Sequence, residues 1–180
     1  MDTVQILYTP RYVRSFLGVF PSDLLPHPIT RSGSIIVNTD PHTEKGSQLL
    51  AIHSEPKSSS AFYFDSYGIS PNKLAIKYFF THNCTVWNHN TVQLQGLTST
   101  VCCQSCSLFT LYMDRGYIPK HFIDFFAADI ADRQVNEIFT SEFGPLRKEL
   151  RGGQCSYDIY KMYNTSKIYL CYFCCLSEWR

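Results

Sequence analysis

Long apolar runs are missing from this chain. Roughly twenty consecutive apolar residues are needed to cross a bilayer as a helix. The C-terminal run Tyr169-Leu-Cys-Tyr-Phe-Cys-Cys-Leu176 stops at eight. The start, Met1-Asp-Thr-Val-Gln-Ile-Leu-Tyr-Thr-Pro10, has neither the basic opening nor the continuous apolar core of a secretory leader. The expectation is an intracellular protein, nuclear, cytoplasmic or particle-bound, with reduced thiols and no membrane partner. Charge is also scarce: 17% of residues are charged and the net charge is +1, so no global field draws the chain to nucleic acid or a lipid surface. Eight cysteines in such a chain do not read as a disulfide framework. Cys103/Cys106 and Cys171/Cys174 are formally C-x-x-C units, but no histidine accompanies them at finger spacing. A zinc-dependent interaction module rests on the cysteine count alone, and no cofactor is expected. Asn83-Cys-Thr85 and Asn164-Thr-Ser166 match the glycosylation pattern without a secretory context to use it.

What is present is enough apolar material for a core. With 44% hydrophobic residues, 180 residues make one folded domain over about residues 1–150 and an aromatic, cysteine-rich extension over 151–180. Gly152-Gly153 marks the boundary. The chain is organised around Gln95-Gly-Leu-Thr-Ser-Thr-Val-Cys102-Cys103-Gln-Ser-Cys106. From Cys102 to Tyr112 there is no Gly or Pro and apolar residues recur at helical spacing, which predicts a buried helix with Cys102 in its first turn and Ser99 or Thr100 as cap. A thiol there lies at the positive end of the helix dipole, which favours thiolate. Gln95, in the incoming loop, can aim an amide donor at the same place, as an oxyanion hole requires. The alternative is that Cys102, Cys103 and Cys106 only fill a core.

Around this segment the pattern predicts a helix over 9–19 opened by Pro10, then a loop over 20–28 that holds three prolines. Strands are expected at 34–38, 48–53 and 61–65, with a loop over 54–60. Ser70-Pro71 is read as the start of a helix reaching Phe80. One or two further strands are expected over 83–95, and helices from Pro119 and over 128–139, the latter burying Ile130, Val135, Ile138 and Phe139. Arg147-Lys-Glu-Leu-Arg151 reads as a solvated helix end. Asp65, at a strand end beside Gly68, is placed either to orient a catalytic group or simply to cap the turn.

Taken in order, Ile36-Val-Asn-Thr39, Lys45-Gly-Ser-Gln-Leu-Leu-Ala-Ile52, Phe64-Asp-Ser-Tyr-Gly68, Trp87-Asn-His-Asn90, Leu94-Gln95 and Val101-Cys102 resemble the adenovirus protease (adenain) family. The branch encoded by Polinton (Maverick) transposons and related viruses is the nearest in wording. The resemblance covers about residues 5–140. It implies an α+β fold of the papain-like, ubiquitin-like-protease type, a mixed sheet against which a nucleophile-bearing helix packs. By motif match it assigns Cys102 as nucleophile, Gln95 to the oxyanion hole and Asp65 as the orienting carboxylate. The implied substrates are Gly-rich segments of capsid-type precursor polypeptides. DNA or an activating peptide as partner follows from the resemblance only.

Two departures from the family pattern stand out. Where the family has the general-base histidine of Gly-x-His-Trp, this chain has Gly46-Ser-Gln48-Leu49, and a glutamine amide neither takes nor returns a proton near neutral pH. Cys103 stands where Gly usually follows the nucleophile. Four histidines are candidate substitutes for the base: His42 in the preceding loop, His53 on the same strand, and His82 and His89 before the cysteine helix. Two functions follow as expectations. One is a cysteine endopeptidase impaired at Gln48; the other is a pseudoprotease that binds peptide without cutting.

Overall fold

The computed structural model describes residues 13–44, 46–127 and 131–144. The first part of the helix expected over 9–19, Lys45, Ile130, the 147–151 charge run, the 151–180 extension and the Cys171/Cys174 pair lie outside the described residues. Among those described, five strands form one mixed sheet in the order β1 (Phe16–Pro21), β2 (Gly33–Asn38), β3 (Leu49–Glu55), β4 (Ser60–Phe64), β5 (Val86–His89). The pairs β1/β2 and β4/β5 are parallel, while β2/β3 and β3/β4 are antiparallel. The α-helices among the described residues are α1 (Leu74–Asn83), between β4 and β5, and α2 (Cys102–Asp114), α3 (Pro119–Phe126) and α4 (Ala131–Phe143), after β5. No helix among the described residues is long and apolar enough to cross a membrane.

The architecture has three layers because β2 and β3 are apolar on both faces. Ile35, Val37, Leu50 and Ile52 point to one side and pack with Ile76, Phe79 and Phe80 of α1. Ile36, Leu49 and Ala51 point to the other, where α2, α3 and α4 supply Cys106, Leu108, Phe109, Phe122, Phe126, Val135 and Phe139. Period-two alternation sends neighbours to opposite faces, so a strand covered on both sides reads as an unbroken apolar run. Phe109 of α2 locks the helix to β4: its ring stacks on Phe64 at 4.8 Å with 6° between planes, and Phe122 meets both rings edge-on. The expected α+β class, with a cysteine-bearing central helix on a mixed sheet, is what the chain adopts.

Several local expectations fail for identifiable reasons. Phe16–Pro21 is not helical but the edge strand β1, with Gly18 at φ +135°, a value no right-handed helix contains. Pairing with the β-branched β2 overrides the weak helical spacing of Phe16 and Val19. The helix expected from Ser70 starts at Leu74, with Lys73 at the N-cap and no side-chain cap. Neither Ser99 nor Thr100 caps α2. Val101 is its N-cap residue, and Ser99 Oγ reaches only the Val101 N–H, at 3.4 Å. Thr91–Gln95 forms no strand. Its Leu94, and Asn90 just before it, are instead tied to the Asp65–Ser66 turn, which takes the backbone out of the sheet. The 54–60 loop is shorter than expected, with β3 running to Glu55 and a 3-10 turn over Pro56–Ser58.

Because Phe109 is fully buried in the aromatic stack, Phe109→Ala should cost about 3–5 kcal/mol by chemical denaturation. The half-exposed Phe125 on the same side of the sheet should cost less than about 1 kcal/mol on the same change.

Candidate active site

The site is built where β3 begins, β4 ends and α2 begins. Asp65 follows directly on β4 and is 3% exposed. A buried carboxylate needs donors, and this one has three. Gln48 Nε2 donates to Oδ1 at 2.7 Å, the Tyr67 backbone N–H donates to the same oxygen at 2.8 Å, and the Tyr63 hydroxyl donates as well. Burial raises the Asp65 pKa above its ordinary value, and the three donors pull the other way without cancelling it. Burial also raises the Tyr63 hydroxyl, and the charge of Asp65 adds to it.

The backbone around Asp65 is held from both sides by Asn90. Its Oδ1 accepts the Asp65 N–H at 3.0 Å, and its Nδ2 donates to the Asp65 carbonyl at 2.6 Å and to the Val92 carbonyl at 3.0 Å. The turn then closes through Gly68 N–H to the Asp65 carbonyl at 2.8 Å. Gly68 has φ +70°, and a Cβ there would sit 2.9 Å from the Val92 backbone, so no other residue fits this close approach.

Gln95 is 3% exposed and fixed by the same turn. Ser66 Oγ donates to its Oε1 at 2.6 Å, while its Nε2 donates to the Ser99 carbonyl at 2.7 Å and to Tyr67 Oη at 3.2 Å. Both amide hydrogens are thus engaged within the protein. The next residue, Gly96, donates its N–H to both carboxylate oxygens of Asp132 in the first turn of α4, at 3.2 and 3.3 Å.

Cys102 opens α2 and is 7% exposed, in the same cluster as Leu49, Leu94 and Val101. Its charge and those of Asp65 and Asp132 act on the Tyr67 hydroxyl, whose pKa is raised first by burial and then by these neighbours. Tyr67 bonds both Asp65, through its backbone N–H, and Gln95, through its hydroxyl. One turn further along α2, Cys106 is fully buried, and burial, followed by the charges of Cys102, Cys103 and Asp65, pushes its thiol well up. The described cysteines, Cys84, Cys102, Cys103 and Cys106, form no disulfide with one another. Gln48, Asp65, Gln95 and Cys102 thus fall on three adjoining segments, and the Gln48–Asp65 pair is in direct contact.

Of the four candidate substitute histidines, His42, His53 and His82 have partners away from Asp65. His42 pairs with Asp23, Nδ1 to Oδ2 at 2.5 Å. His53 bonds Ser34 Oγ at 2.9 Å and Glu55 Oε1 at 3.0 Å. It lies five residues along the chain from Gln48, about 17 Å at the rise of a strand. His82 stacks on Tyr78 at 3.8 Å and bonds its carbonyl, on the α1 side of the sheet. His89 stands opposite Tyr63 in the parallel pair, and its ring lies 5.9 Å from that of Trp87.

Ser66, Tyr67 and Asn90 are parts of the site whose individual roles the sequence does not reveal, although they lie in the segments quoted for the resemblance. Asp132 carries no sequence signal at all, since an acidic residue in a first helical turn is ordinary.

No family model matches the chain, and no curated protein matches it. Among solved structures, ASFV pS273R protease is similar at 20% identity and TM-score 0.47, over 65% of this chain and 44% of that one. Its selenomethionine form matches alike, over 64% and 45%. The SUMO protease Ulp1, with its catalytic cysteine oxidised to a sulfinic acid, is similar at 14% identity and TM-score 0.42, over 74% of this chain and 75% of that one. The chain spans less than half of the ASFV protease chain it is matched to.

The raised Asp65 pKa has a defined consequence for stability. The folded state holds this proton more tightly than the unfolded chain, so the contribution is complete below the unfolded pKa and is lost as pH rises through the folded pKa. Asp65→Asn removes the titration. From about pH 4 upward, urea unfolding should show wild type losing stability relative to Asp65→Asn, and a constant difference between the two would contradict it.

Proposed function

We propose that this chain is a cysteine-protease-type domain of the adenain and ubiquitin-like-protease kind, which holds a polypeptide segment against Cys102 and has lost the acid-base step at Gln48. The observation that carries this reading is the 2.7 Å bond from Gln48 Nε2 to Asp65 Oδ1. An orienting carboxylate paired with an imidazole accepts one ring N–H and leaves the second nitrogen for proton transfer. Gln48 reproduces the first half of that arrangement. The other end of its side chain is a carbonyl oxygen, far too weak a base for the second half. In this reading Cys102 is the nucleophile, Gln95 and the first-turn N–H groups of α2 are the oxyanion donors, and Asp65 is the retained orienting group. The motif order points to Gly-rich segments of capsid-type precursors, in a transposon or viral setting, as the polypeptides bound.

The test is turnover of a Gly-rich fluorogenic peptide amide. A positioned acid-base group is worth about 10²–10⁴-fold. Gln48→His, alone or with Leu49→Trp to restore the neighbouring position, should raise turnover within that range, and adding Cys102→Ala should abolish the gain. Turnover by the unaltered chain equal to that of the restored chain would overturn the reading.

A further inference from the structure

We propose that Cys102 accepts acyl groups from polypeptide thioesters and not from amides. The inference rests on the reading of Cys102 and Gln95 given above and adds the substrate class. The two substrates differ in what must leave. When a thiolate attacks an amide, the intermediate returns to reactants unless the departing nitrogen is protonated, and Gln48 occupies the position from which that proton would come. A thioester expels a thiolate, which needs no proton to depart and leaves faster the lower its pKa. The remaining requirements are on the page. Cys102 sits at the positive end of a thirteen-residue helix. The positive end of a helix favours thiolate over thiol. The Gln95 amide is held at the helix entrance by Ser66 and Tyr67. Its bond to the Ser99 carbonyl can be exchanged for one to the developing oxyanion. The step balances without a further reactant. The Cys102 proton passes to water, the sulfur–carbonyl bond of the thioester breaks, a new one forms to Cys102, and the released thiolate takes up a proton. With Cys102 only 7% exposed at the edge of the core, and with no base at Gln48 to activate water, the acyl group stays on the sulfur. It awaits a thiol or amine acceptor, so the site acts as an acyl acceptor instead of a hydrolase.

The full chain is incubated near pH 7.5 with the N-acetyl-diglycine thioester of 2-mercaptoethanesulfonate and, separately, with the matching aminocoumarin amide. Released thiol, intact mass and peptide mapping are followed for wild type, Cys102→Ala and Gln48→His. Wild type should take one acyl group, on Cys102, at least about tenfold faster than N-acetylcysteine, a margin well within the worth of one oxyanion donor. It should leave the amide intact, while Gln48→His cuts both substrates. If Gln48→His cuts the amide but wild type takes no acyl group from the thioester, the inference falls and the site reading stands. Amide cleavage by wild type, an adduct spread over other cysteines, or a rate no better than N-acetylcysteine would likewise overturn it. If neither chain reacts with either substrate, the site reading fails and takes the inference with it.

Discussion

The interaction on which the rest depends is the burial of one carboxyl group. Asp65 leaves β4 into a region almost closed to water, where a carboxylate is tolerated only if its oxygens find donors. That demand organises the neighbourhood. Gln48 reaches across from the start of β3, Tyr67 turns its backbone N–H inward, and Tyr63 contributes its hydroxyl. Asn90 clamps the peptide units on either side of Asp65, and this positions the Ser66 and Tyr67 side chains that fix Gln95. Replacement of a histidine by glutamine at position 48 would conserve the donor Asp65 needs while changing what the pair can do. Structural and chemical demands on one position are separable, and here the structural one is met.

On the proposed reading, this separation accounts for a site that keeps its geometry without a general base. A leucine or alanine at position 48 would leave Asp65 short of a donor and raise the cost of keeping it charged. Glutamine supplies an N–H on a flexible chain of suitable reach. The buried carboxyl is therefore satisfied by Gln48 as the chain stands.

How much was legible in the sequence depended on the range of the forces involved. β2, β3 and β4 could be read because their apolar runs are local and short, and α2 because an uninterrupted segment met a cysteine after a polar loop. β1 could not, since Phe16, Val19 and Phe20 are compatible with helix until β2 offers a parallel partner. The true start of α1 was hidden because Ser70-Pro71 is a good opening that the chain does not use. Within the site, Asp65 and Gln48 were identifiable only through ordered motifs, as nothing in their spacing shows that they touch. Gln95 was placed correctly in the loop, but its two engaged amide hydrogens depend on Tyr67 and on the Ser99 carbonyl, a backbone atom that no side-chain pattern reports. Seven of eleven buried residues of α2 are apolar or cysteine; Gln104, Ser105, Ser107 and Thr110 are buried too, so its environment is set by enclosure between sheet and helices more than by its own amphipathicity.

The bond between the Gly96 N–H and Asp132 ties the loop that carries Gln95 to the first turn of α4. Ser66, Tyr67 and the Ser99 carbonyl hold the Gln95 side chain without help from that helix. The inner side of the loop is thus fixed by residues close to it in the chain, and its outer side by a helix that lies C-terminal to every other part of the site.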